Sequence, residues 1–203
     1  MLRSMLAIAL SCLVMGGANA ATVTSENPSL TELAVLSSTS LALPIGAAWQ
    51  TPAPAIVQGS SEGVYRSPYD ALGNFADIQY WNVSGVENYL TFDSLKTSLS
   101  FLWGSPDIYN YVTLINTTIL NGPNLIVALD NLISPDIPAS GGGASLVKIG
   151  GFAFNKVLFS SNQPAFEIGN ITAAVPLPAG GVLLLIGLGG LALLRRRSSA
   201  DLV

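Results

Sequence analysis

From Gly180 to Leu194 no side chain is charged or hydrogen-bonding, and the next three residues are Arg195, Arg196 and Arg197. Water is a poor solvent for such a run. Hydrocarbon accepts it as a helix, because a helix satisfies its own backbone groups. The arginines form a stop-transfer cluster that stays on the cytoplasmic side. In front of the run stands Val175-Pro176-Leu177-Pro178-Ala179, whose prolines fix φ and remove donors, so this stretch is an exposed, extended linker. The run is short against the roughly 20 residues of a typical spanning helix. Counting back to Ala173 reaches that length only by taking in both prolines. A buried core helix is the alternative, but one seldom ends on three arginines. The sequence predicts a transmembrane helix over 180–194 and a cytoplasmic tail over 198–203, with the remainder of the chain as passenger.

The N-terminal end points to the same compartment. Arg3 supplies a positive start, Met5 to Met15 an apolar stretch, and Ala18-Asn19-Ala20 a small-x-small site. Together these describe a secretory signal peptide over residues 1–20, read by signal peptidase at Ala18 and Ala20. Cys12 is the only cysteine, and Ala9-Leu10-Ser11 before it lacks lipobox order. With Cys12 removed, no disulfide staples the body, even in an oxidising compartment.

Residues 21–174 are one domain's worth of chain, long enough to bury a core. The whole chain carries 12 acidic against 8 basic residues. Arg3, Arg195, Arg196, Arg197 and Asp201 belong to the two ends, which leaves 11 acidic against 4 basic in the body, a net of −7. Such a body repels nucleic acid and anionic head groups.

Short strands broken by turn residues dominate from Val64 onward. Leu95, Leu99, Phe101 and Trp103 fall on one face of a strand, with Lys96, Ser98 and Ser100 on the other, as in a half-buried antiparallel strand. Gly104 to Asp107 reads as a turn. Ile78–Val83, Tyr89–Phe92, Ile108–Ile115, Asn124–Leu129, Phe152–Phe159 and Ala165–Ile171 read as further strands, with turns at Ser84-Gly85 and Asn121-Gly122-Pro123. The opening stretch supports two readings. Ser29 and Glu32 make a capping box for a short helix, while Leu41–Leu43 and Ala55–Val57 suit short strands. Gly141-Gly142-Gly143 is a loop; the strand-like residues after it argue against a phosphate cradle. The fold class expected is all-β, a single jelly-roll-like β-sandwich.

The order Val175-Pro176-Leu177-Pro178-Ala179, apolar run, arginine cluster resembles the VPLPA-type variant of the PEP-CTERM protein-sorting signal of Gram-negative bacteria. Leu177 stands where the commoner form has an acid. The resemblance covers residues 175–197 and implies processing by an exosortase, a membrane-embedded transpeptidase-like enzyme that reads Val175 to Ala179. Phe92-Asp93, the block Ser100 to Asn110, and Phe166 to Thr172 resemble a group of exosortase-dependent extracellular proteins with a β-sandwich body, a likeness that implies no molecular activity.

The chain has no histidine, which excludes Ser-His-Asp and Cys-His catalysis and ordinary zinc sites. Carboxylates remain. Asp77, Glu87, Asp93, Asp107, Asp130, Asp136 and Glu167 are candidates by type for glycan cleavage, and their spacing selects no pair; an enzyme is not the expectation. Asp70, Asn74 and Asp77 offer oxygens that suit calcium, and the same residues suit a plain turn around Gly73. No other cofactor is expected. Trp49, Trp81, Trp103 and the six tyrosines are either core or a sugar-stacking platform. Trp103 is the expected core residue, and Tyr109 with Tyr111 are the candidate sugar contacts. Asn82, Asn116 and Asn170 open glycosylation triplets but read most simply as strand and turn residues.

The expectation is an exported surface or extracellular-matrix protein, transiently membrane-anchored, with a structural or adhesive role linked to exopolysaccharide. A carbohydrate-binding module is the alternative, and a glycan-active hydrolase a third reading. The second requires aromatic rings open to solvent, the third two carboxylates sharing a cleft.

Overall fold

The computed structural model describes residues 21–84, 87–119, 124–129 and 143–175. Residues 1–20 with the expected signal peptide, residues 176–203 with the expected transmembrane helix, the candidate carboxylates Asp130 and Asp136, and Gly141-Gly142 of the expected loop lie outside these. Val175 is described and is 54% exposed. Among the described residues no helix is long and apolar enough to cross a membrane.

Among the described residues nine strands form one antiparallel sheet: β1 (Thr22–Glu26), β2 (Ala47–Trp49), β3 (Ala55–Gln58), β4 (Gln79–Ser84), β5 (Asn88–Gly104), β6 (Asn110–Ile115), β7 (Leu125–Ala128), β8 (Ser145–Ser161) and β9 (Pro164–Ala174). The order is β3-β4-β9-β5-β8-β6-β7, with β1 on β8 and β2 on β5. The expected all-β class is observed.

Two 17-residue strands, β5 and β8, organise the sheet. They pair with each other along both halves and change outer neighbours midway. The first half of β5 pairs with β2, the second with β9. The first half of β8 pairs with β1, the second with β6. Register shifts between Thr91 and Lys96 and between Lys96 and Ser98 mark the changeover on β5. Bulges bend a strand and increase its twist, and here they join the two strands expected at 89–92 and 95–103 into one. They also overturn part of the facing pattern. Lys96, expected outward, is 4% exposed, lies 5.6 Å from the centre of the Phe92 ring and pairs with Asp93 at 3.8 Å.

Beyond the bulge the alternation holds. Leu99, Phe101 and Trp103 enter the main core with Leu90, Val147, Phe154, Phe159, Phe166 and Ile168. Phe159 from the second half of β8 meets Phe101 at 5.5 Å and Phe166 at 5.9 Å, while Trp49 contacts Phe159 at 5.7 Å and Trp81 at 5.5 Å. Rings from both ends of the long strands thus share one core, and edge-to-face pairs of this kind contribute ~0.5–1.5 kcal/mol beyond area burial.

The opposite side of β4, β9 and β5 is covered as well. Tyr80 and Leu102 pack there with Tyr69, Leu33 and Ala144. Leu33 comes from α1 (Leu30–Ser37), which starts on the complete Ser29–Glu32 capping box, so the helical reading of that stretch holds. Leu41–Leu43 forms no strand, whereas Ala55–Gln58 does. Tyr69 belongs to the segment between β3 and β4, which crosses this face and carries one short 3₁₀ turn, Asp70–Leu72, closed by Gly73 at φ +75°. The turn reading of Asp70 and Gly73 is observed.

Candidate functional site

Glu167 is the least expected residue of the body, because β9 alternates. Phe166 and Ile168 point into the main core, so Glu167 points to the other face, under the segment between β3 and β4. It is 0% exposed. Its Oε1 accepts the Arg66 backbone N–H at 3.1 Å, and its Oε2 has no hydrogen-bond partner. Burial first of all, with a smaller contribution from the nearby Asp107 charge, pushes its pKa up to about 8. At neutral pH it is therefore a carboxylic acid, a donor where its sequence suggests an acceptor.

The backbone brings Arg66 close to Glu167 through a glycine. A Cβ on Gly104 would stand 2.9 Å from Pro68 N and 3.1 Å from Arg66 O, nearer than a side chain tolerates, so only glycine lets this segment lie against the end of β5. Upstream, the flap Ser60–Arg66 closes on itself through the Ser61–Tyr65 bridge and turns at Gly63, φ +71°. Arg66 Nε donates to Asp70, whose second oxygen accepts from the Ser60 hydroxyl. The Ser60 hydroxyl oxygen in turn accepts the Ser67 N–H at 2.8 Å. Side-chain bonds thus hold the flap in shape.

The turn after β5 supplies the other wall. Ser105 adopts φ +47°, and the chain then presents Asp107 and Tyr109. The Tyr109 hydroxyl hydrogen-bonds the Asp107 carboxylate. Burial raises the pKa of Asp107 against the opposing effect of that bond. Tyr109 is raised too, by burial first and then by Asp107.

These walls enclose an open cleft of about 930 Å³, lined among others by Tyr65, Arg66, Asp107, Tyr109, Gln163 and Glu167. A concave site with converging polar groups and displaced pKa values is where ligand chemistry is to be sought. Of the residues singled out in the sequence, the structure gathers Tyr109, Asp107, Glu167 and Asp70 here. Tyr111, Asn74 and Asp77 do not line it. Tyr111 is half-buried on β6, and Asn74 and Asp77 are exposed beyond the 3₁₀ turn. Among the described residues no group of three or more acidic or cysteine side chains is placed to hold a metal ion.

Tyr65, one of the six tyrosines weighed as a platform, also lines the cleft, whereas sequence reasoning missed Arg66 and Gln163. Arg66 carried one signal, as one of only four basic residues of the body and four positions before Asp70. The three tryptophans and two of the tyrosines take the core reading. Trp103, Tyr69 and Tyr80 are wholly buried, and Trp49 and Trp81 pack against the main core. Asn170, in a left-handed conformation at φ +48°, is buried. Its Oδ1 accepts from the Tyr69 hydroxyl at 2.6 Å and its Nδ2 donates to Thr39 at 2.9 Å. That amide is a structural tie between β9 and the covering segments. Comparison with protein-family models, curated proteins and solved structures finds no match.

Proposed function

We propose that this chain is an exported, exosortase-processed surface or matrix protein whose body holds extracellular polysaccharide in the cleft between the flap and the β5–β6 turn. In this reading the single sheet is a sandwich-like body, its two halves turned face to face around Phe159. The apolar tail tethers it to the membrane until processing at Val175 to Ala179.

The observation that carries the binding role is the composition of the cleft. Tyr65 and Tyr109 supply ring edges, while Asp107, Glu167 and Gln163 supply donors and acceptors side by side. A hydroxyl-dense, partly apolar sugar unit asks for that mixture. The net of −7 on the body disfavours strongly anionic polymers.

The test is affinity electrophoresis of the exported protein through gels containing extracellular polysaccharide from its own cells. Retardation is expected, and Tyr109→Ala should weaken it by about tenfold in apparent Kd. Unretarded migration of the unaltered protein would end the binding reading.

One observation favours a second reading. Asp107 and Glu167 share the cleft with raised pKa values, and glycan hydrolysis uses two carboxyl groups of unlike protonation. New reducing ends in the same polysaccharide, lost in Glu167→Gln, would establish it. Their absence alongside retardation leaves a binding site.

A further inference from the structure

We propose that the cleft selects a sugar bearing a protonated amine, a deacetylated hexosamine unit, whose ammonium group seats between the Glu167 and Asp107 carboxyl groups. The inference rests on the polysaccharide-binding reading and narrows it to one class of sugar.

Three observations on the site lead there. Glu167 Oε2 is buried and without a partner, and a polar atom in that condition carries a desolvation cost that a hydrogen-bonding ligand would recover. The lining is also short of bases. Arg66 is its one base, and that base is spent on Asp70, which leaves Glu62 and Asp107 with no basic partner in the lining while Glu167 keeps its proton. Finally, the polar lining is rich in acceptors, with Asp107, Tyr109, Gln163 and Glu167 brought together in one cleft. An ammonium group needs only three acceptors, and the two carboxyl groups with the Tyr109 oxygen provide them.

Glu167 has no exposed surface, so the ammonium reaches Oε2 only as the flap gives way over it. Ionisable groups face Glu167 from each packed element: Arg66 and Asp70 from the covering segment, Tyr80 from β4, Asp107 and Tyr109 from the β5–β6 turn. Arg66 and Asp70 neutralise each other and the tyrosines stay protonated, which leaves the carboxyl pair to respond to the ligand. Because the free site holds a proton on Glu167 at neutral pH, an arriving ammonium displaces it.

The experiment is titration calorimetry of the exported protein at about pH 7, in two buffers of different ionisation enthalpy. The probes are a fully deacetylated glucosamine oligomer and the same oligomer N-acetylated. The expected result is at least about tenfold tighter binding of the deacetylated oligomer, with a net release of protons on binding. Glu167→Gln, checked for folding by its melting transition, should abolish both the preference and the proton release. Equal binding of the two oligomers overturns the amine selectivity and leaves the polysaccharide reading standing. Binding of neither overturns both. Amine selectivity that persists in Glu167→Gln and in Asp107→Asn overturns the assignment of the site.

Discussion

Burial holds the Glu167 carboxyl at a pKa of about 8, against 4.5 as its ordinary value. Between those values the folded chain keeps a proton that the unfolded chain has released, so stability falls as pH rises through that window, the reverse of a salt-bridged carboxylate. Below the unfolded value the effect vanishes, and above about 8 it is complete. Thermal melts at about pH 5 and about pH 9 should therefore separate the natural protein from Glu167→Gln, with the variant the more stable at the higher pH by a few kcal/mol. Parallel curves for the two proteins would mean that the carboxyl ionises freely. None of this was legible locally. Glu167 sits in an ordinary strand alternation, and its abnormal state comes from burial under a covering segment whose path no periodicity reveals, against the opposing effect of the backbone N–H of Arg66, 101 positions earlier in the chain. Asp107 and Tyr109 could be named because a turn after a clear strand exposes its residues. That they would meet Glu167 could not.

At the scale of elements, the period-two pattern of Leu99, Phe101 and Trp103 fixed the inward face of β5, and the Ser29–Glu32 spacing fixed the start of α1. What the pattern could not carry was the bulge at Lys96, because a register shift reverses facing without any change in composition. It also hid the length of β5 and β8, each interrupted in hydrophobicity where it changes neighbours. If one core spans both halves, its ring contacts should dominate stability. Phe159→Ala, which removes a ring touching Trp49, Phe101 and Phe166, should cost about 3–5 kcal/mol in chemical denaturation. Ile126→Ala, on the exposed side of β7, should stay within about 0.5 kcal/mol. Similar costs at the two sites would contradict a core centred on Phe159.

For the whole molecule, the proposed reading makes the sheet a passenger between two address segments, and its acidity and its lack of cysteine after residue 20 suit a surface protein that stands without disulfides. The ends can be read without tertiary context, because solvent preference is local, and that reading stands as a proposal on residues outside those described. The cleft, by contrast, arises only when four separate stretches converge. The central claim is export followed by removal of the tail, and intact-mass measurement of the protein from cells with and without the processing enzyme tests it most directly. The account predicts a soluble form beginning at Ala21 and lacking the residues beyond Val175 to Ala179 when the enzyme is present, and a heavier membrane-bound form when it is absent. Equal masses in the two strains, with Arg195 to Arg197 retained in both, would contradict it.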